Sequence, residues 1–113
     1  MRDDLNLLQG TLDLLVLKAL VFGPRHGYAV ARWVRDATNG ALEVEEGALY
    51  TALHRIERRG WVRAEWGLSE TNRRAKYYTL TARGREQLQR QTSAWARYAE
   101  AVFMVLNAPA EAG

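Results

Sequence analysis

At 113 residues and 48% hydrophobic content the chain is of single-domain size, with enough apolar material for one core. It has no cysteine and only two histidines, which excludes disulfide, thiol-redox and thiolate-metal chemistry; a zinc site would need carboxylates, and no spacing supplies them. The net charge of +3 hides an uneven distribution. Arg55–Arg85 carries nine basic residues against three acidic ones, and the remainder carries seven against ten. A basic segment on an otherwise acidic body suits a protein that turns one face to phosphate; a solvated arginine-rich surface has the same composition.

Met1–Asp4 has the composition of a disordered tail. Asp3 and Asp4 give it the wrong charge for a signal peptide. The apolar run Leu12–Phe22 is too short to span a bilayer and is interrupted by Asp13 and Lys18. No membrane partner is expected, and the cytoplasm is the expected compartment. Instead the run predicts a helix capped by Thr11, with Asp13 complementing its positive first turn. It is apolar on more than one side and so is expected to be buried. Phe22-Gly23-Pro24-Arg25 reads as a turn.

A second helix is predicted over His26–Thr38, with Tyr28, Val30, Ala31, Trp33, Val34 and Ala37 as a broad apolar face and Asn39-Gly40 as its stop. Leu42–Val44 could form a short strand beside a later hairpin. The third helix, roughly Glu46–Arg59, places Leu49, Ala52, Leu53 and Ile56 inward at helical spacing. Its outward face carries Gly47, Ala48, Tyr50, Thr51, His54, Arg55 and Arg58. Gly60 closes it. Strands Trp61–Trp66 and Lys76–Leu80 then flank a polar, arginine-bearing tip, Gly67–Ala75. Tyr77 and Tyr78 point to opposite sides of the second arm, so one belongs to the core.

Thr81 caps a fourth helix that runs to about Asn107, before Pro109. Leu88, Trp95 and Val102 are spaced by seven, as are Gln91, Tyr98 and Val105. Three short helices and a hairpin cannot cover a helix about 37 Å long. Its stripe is therefore expected to meet another copy of the chain. Together these elements predict an α+β, mostly α fold: a winged helix–turn–helix domain over residues 1–80, a C-terminal dimerisation helix over 81–107 and a disordered tail over 108–113.

A helix of groove-filling size beside a basic hairpin makes duplex DNA the leading partner. The stretches LLQGTLDLLVLKAL (Leu7–Leu20), HGYAV (His26–Val30), GALYTALHRIERRGWV (Gly47–Val62) and RRAKYYTLTARG (Arg73–Gly84) follow one another through the domain. In these stretches the chain resembles the PadR-like transcriptional regulators, in the short form with a single C-terminal helix. The resemblance implies a dimeric winged-helix repressor, and short forms resemble sensors of small hydrophobic or phenolic compounds. Two departures stand out. Glu45 and Glu46 replace a small hydroxyl residue and a proline, which suits the helix dipole but repels a phosphate docked at that end. Ala48 and Thr51 stand where the family often has a hydroxyl residue and a proline.

The expected DNA-binding residues are Gly47, Tyr50, Thr51, His54, Arg55 and Arg58 on the third helix and Arg73, Arg74 and Lys76 on the wing. Tyr50 is the first of these, as a phenol that donates to phosphate or packs on sugar; Arg58, late in the helix, suits phosphate better than base. Trp95 serves either as a dimer anchor or as a platform for a flat aromatic effector, lined by Leu88, Tyr98, Ala99 and Val102 and by Leu5 and Leu8 of another copy. The expectation is a dimeric repressor of a palindromic operator, released by a small hydrophobic or aromatic ligand. No cofactor, metal or catalytic residue is expected, because the chain has no phosphate-binding glycine pattern and no nucleophile–base pair. The alternative is a winged-helix protein-interaction module, with Glu45 and Glu46 deterring DNA. RNA binding is weaker still, since no stacking platform is evident.

Overall fold

The computed structural model describes residues 10–111. Within it, α1 (Thr11–Ala19), α2 (Gly27–Ala37) and α3 (Glu46–Arg58) pack together beside a small sheet. The sheet consists of β1 (Arg25–His26), β2 (Val62–Leu68) and β3 (Arg74–Leu80), antiparallel in the order β1-β3-β2. Helix α4 (Ala82–Leu106) packs on α1. The fold is the expected mostly helical winged helix–turn–helix with a long C-terminal helix.

The core joins Val16, Leu17 and Leu20 of the first helical segment to Val30, to Leu49, Leu53 and Ile56, and to Val62, Tyr78 and Leu80 of the sheet. The inward face predicted for α3 is buried as expected. Tyr78 is the core member of its pair, and Tyr77 is partly exposed and donates its hydroxyl to the Leu68 carbonyl at 2.9 Å.

Several local expectations are corrected. Leu42–Val44 is a loop; the third strand is Arg25–His26, which pairs with Tyr78 and Tyr77 of β3. Arg25 Nε fixes this strand by donating to the Ala19 carbonyl at 2.9 Å, while the Leu42 amide is taken by Thr38 Oγ1 at the end of α2. Thr11 does not cap α1. The cap position is Gly10, at φ 90°, and Thr11 is the first helical residue. Tyr28 is exposed because two residues of helix turn it about 200° from Val30; Ala37 is exposed too. The wing is longer than expected. Pairing continues through Gly67↔Ala75 and Leu68↔Arg74, which leaves Ser69–Arg73 as the tip. The ladder starts at Val62, because the Trp61 backbone is used to bond Ile56 and Thr81.

Thr81 caps α4 as predicted, accepting from the Gly84 amide at 3.0 Å and donating to the Gly60 carbonyl at 2.7 Å. Gly84 is required here: a Cβ would lie 2.1 Å from the Trp61 carbonyl oxygen. This contact presses the first turns of α4 against the domain, and Leu88 packs on the protomer's own core. Leu88 is thereby removed from the outward stripe in which the heptad spacing had placed it. Beyond it the helix continues, and the described residues extend over 61 × 32 × 21 Å.

Candidate nucleic-acid interface

Two adjoining grooves gather most of the predicted DNA residues. The first, about 1100 Å³, lies between α2 and the wing; Tyr50 and His54 line it together with Arg73, Arg74 and Lys76. The second, about 350 Å³, runs along α3 and is lined by Tyr50, Thr51, His54, Arg55 and Arg58. Tyr50 and His54 belong to both. Gly47 is exposed in the first turn of α3 and lines neither.

Local sequence explains these positions. The outward residues of α3 lie opposite Leu49, Leu53 and Ile56, so burying that face turns Thr51, His54 and Arg58 to solvent. Tyr50 lies on the flank of the same helix and remains 45% exposed. Its ring rests on the start of α2, where a Cβ at Gly27 would meet the Tyr50 hydroxyl at 2.6 Å and push the ring aside. The HGY motif therefore positions this phenol as well as starting α2, where His26 Nδ1 accepts from the Ala29 amide at 3.2 Å.

The cations differ in how freely they face the groove. Arg74 stacks on Trp66, with its guanidinium carbon 4.4 Å from the ring centroid. Lys76 lies 3.5 Å from Glu57 and also stands over Tyr78. Arg73 is exposed at the wing tip. Arg55 is held by Asp13, through Nε at 3.0 Å and Nη2 at 2.5 Å. The hydrogen bond to Asp13, reinforced by its charge, raises the Arg55 pKa above its ordinary value despite the opposing effect of burial.

Sequence reasoning missed other groove residues, among them His26, Tyr28, Arg32 and Trp66. Trp66 could have been found from hairpin parity, since it pairs with Lys76 and so shares a face with Arg74. Tyr28 is part of the HGY motif, but its place in an apolar helical run reads as core. Glu45 is the N-cap of α3 without a side-chain capping bond, and both it and Glu46 are exposed. Glu46 lines a shallow cleft of about 360 Å³ with Glu43, Arg32 and Arg35, so cations stand near these acids.

On α4, Trp95 is 43% exposed, Tyr98 59% and Val102 37%, with Ala99 between them partly covered. Leu5 and Leu8 lie outside the described residues. Among the described residues no group of three or more His, Asp or Glu side chains could hold a metal, and no helix is long and apolar enough to cross a membrane.

Comparison with known proteins agrees with this geometry. The model of the transcriptional regulator PadR-like family matches residues 16–90, and the chain belongs to that family. It is similar to a solved PadR family transcriptional regulator from Eggerthella lenta, at 29% identity and a TM-score of 0.76, over 89% of this chain and 86% of that one. A transcriptional regulator from Clostridium thermocellum is 26% identical with a TM-score of 0.76, over 83% of this chain and 91% of its own. An uncharacterised 37.1 kDa protein of a Streptomyces fradiae transposon is 38% identical over 91 residues, which are 80% of this chain but 25% of that protein. The fold and family make the chain a DNA-binding transcriptional regulator and not an enzyme.

Proposed function

We propose that the protein is a homodimeric, cytoplasmic repressor in which residues up to about Leu80 read DNA and α4 joins two copies. The single observation that supports this most is the shared groove: Tyr50 and His54 of α3 open onto the same concave surface as Arg73, Arg74 and Lys76 of the wing. Helix α3 lies in the major groove. Thr51 and His54 meet base edges, while Tyr50, Arg58 and the wing cations hold phosphate or the minor groove. Gly47 keeps the start of α3 slim where it approaches the duplex. Two protomers place their α3 helices on half-sites about 34 Å apart, one turn of DNA, on an imperfect palindrome.

The dimer reading is supported by the exposed apolar residues of α4. Trp95, Tyr98, Val102, Phe103, Met104, Val105 and Leu106 all face solvent in the protomer. The effector in this reading is a flat hydrophobic or phenolic molecule between two Trp95 side chains, with Tyr98, Ala99 and Val102 beside it. It releases DNA by binding best to the dimer arrangement whose α3 spacing mismatches the operator. Leu88 stays with its own core.

Fluorescence anisotropy with duplexes selected by the protein from a randomised pool tests the DNA part. Competitor-resistant binding of two protomers per duplex is the expected result. Quenching of Trp95 fluorescence by phenolic compounds, together with a weakened DNA complex, tests the effector part.

A further inference from the structure

We propose that Asp13, on helix α1, is the positioning residue for DNA specificity: it clamps one edge of the Arg55 guanidinium and leaves the other edge to a base in the major groove. The proposal deepens the DNA reading above and rests on α3 being the helix that enters the groove.

Asp13 is 4% exposed although it stands in the first turn of α1, where a carboxylate could have faced water. An acid that merely complements the helix dipole would be stable in water, so the dipole does not explain its burial. A buried carboxylate needs a fixed partner, and Arg55, 42 residues away, supplies one with two parallel hydrogen bonds. These bonds use Nε and one hydrogen of Nη2. A guanidinium has five N–H donors in a plane, so the edge formed by Nη1 and the second Nη2 hydrogen still carries two parallel donors. That edge matches the O6 and N7 acceptors of guanine.

The exposures agree with a clamp seen from outside. The Asp13 side chain is 6% exposed and that of Arg55 is 32% exposed. Arg55 also lines the α3 groove beside Tyr50, Thr51, His54 and Arg58. By contrast Arg58 and Arg73 are exposed without such a carboxylate partner among the described residues. An arginine free to turn satisfies itself on phosphate at many positions. One held in a plane accepts only a pair of acceptors in that plane, so the clamp converts a general cation into a base reader. Because α1 also packs on α4, the same carboxylate ties what α3 reads to the helix that joins two copies.

The test is the ratio of competitor to selected-duplex Kd for the full chain, D13N, R55M, the D13N/R55M double variant and H54A. D13N is expected to lower the ratio about tenfold, mainly by weakening the selected duplex, and R55M by a similar factor. In the R55M background D13N is expected to add nothing, since it acts through Arg55. The proposal is overturned if D13N keeps the full ratio while R55M loses it, or if the two losses multiply. If neither R55M nor H54A changes the ratio, α3 is not the reading helix, and the failure lies in the underlying placement. Should D13N melt below the assay temperature, D13E keeps the charge and moves the carboxylate by one methylene. It is expected to change the preferred base at one half-site position, and an unchanged preference contradicts the clamp.

Discussion

Helices α3 and α4 treat their apolar residues in opposite ways. On α3, Leu49, Ala52, Leu53 and Ile56 are buried, and the face opposite them leaves Thr51, His54 and Arg58 in water, with Tyr50 half-exposed on the flank. On α4, from Trp95 onward, the residues left in water include Val102, Phe103, Met104, Val105 and Leu106, the last four each more than half exposed. The difference separates two kinds of surface. A polar face on a helix with a complete core is ready for a polar, charged partner such as duplex DNA. An apolar face on a helix that outruns its core is unfinished, and burying it gains about 25 cal/mol per Å². The half that holds α3 and the wing is therefore a closed unit, and in the proposed dimer a second chain covers the distal half of α4.

The comparison breaks most severely where the two regions meet. Replacing Gly84 by Val forces a side chain into the Trp61 carbonyl and should cost about 3 kcal/mol or more, read as a large fall in Tm. Within the closed unit, L53A removes a fully buried side chain and should cost about 2–5 kcal/mol in urea melts. The same kind of insult on α4 should behave differently. V102E is expected to leave the protomer's circular dichroism intact and to raise the dimer dissociation constant at least about tenfold, measured by sedimentation or light scattering. A V102E protomer that unfolds outright would mean that α4 is part of the closed unit after all.

Smaller effects sharpen the polar side of the comparison. R73A should weaken all duplexes alike and reduce the salt slope by about one per protomer, whereas H54A should alter which duplex is preferred. The least effect is at alkaline pH. Burial, then Glu57 and Tyr50, raise the Tyr78 pKa above the ordinary phenol value. The unfolded phenol ionises near about pH 10 while the folded one resists, so the stability is present below that pH and is lost as pH rises through the folded value. Y78F should flatten this alkaline loss in melts compared at neutral and alkaline pH.

The closed unit was largely legible in the chain. The spacing of Leu49, Ala52, Leu53 and Ile56, the Thr81 cap and the alternating tyrosines each carry their own local signal. What escaped depends on contacts distant in sequence. Two residues of β1 carry no strand pattern and become a strand only because β3 lies beside them. Asp13 reads as a dipole complement until Arg55 is brought to it, and Leu88 keeps heptad spacing although Gly84 presses the start of α4 into the domain. Tyr28 escapes because an aromatic residue in a helical run resembles core until the phase of Val30 and Val34 is fixed. The grooves were legible only in part: charge and outward phase gave the α3 and wing cations, but Trp66 and Arg32 join them through the fold.

The most direct test is anisotropy of a selected duplex titrated with the full chain across a range of salt, with competitor present. The account predicts two protomers per duplex and a log–log salt slope of about −5 to −9, from roughly six to ten neutralised phosphates. It also predicts that H54A shifts the sequence preference. A slope near zero, or binding that competitor abolishes for every selected duplex, would contradict the claim that this α3 face and wing together read DNA.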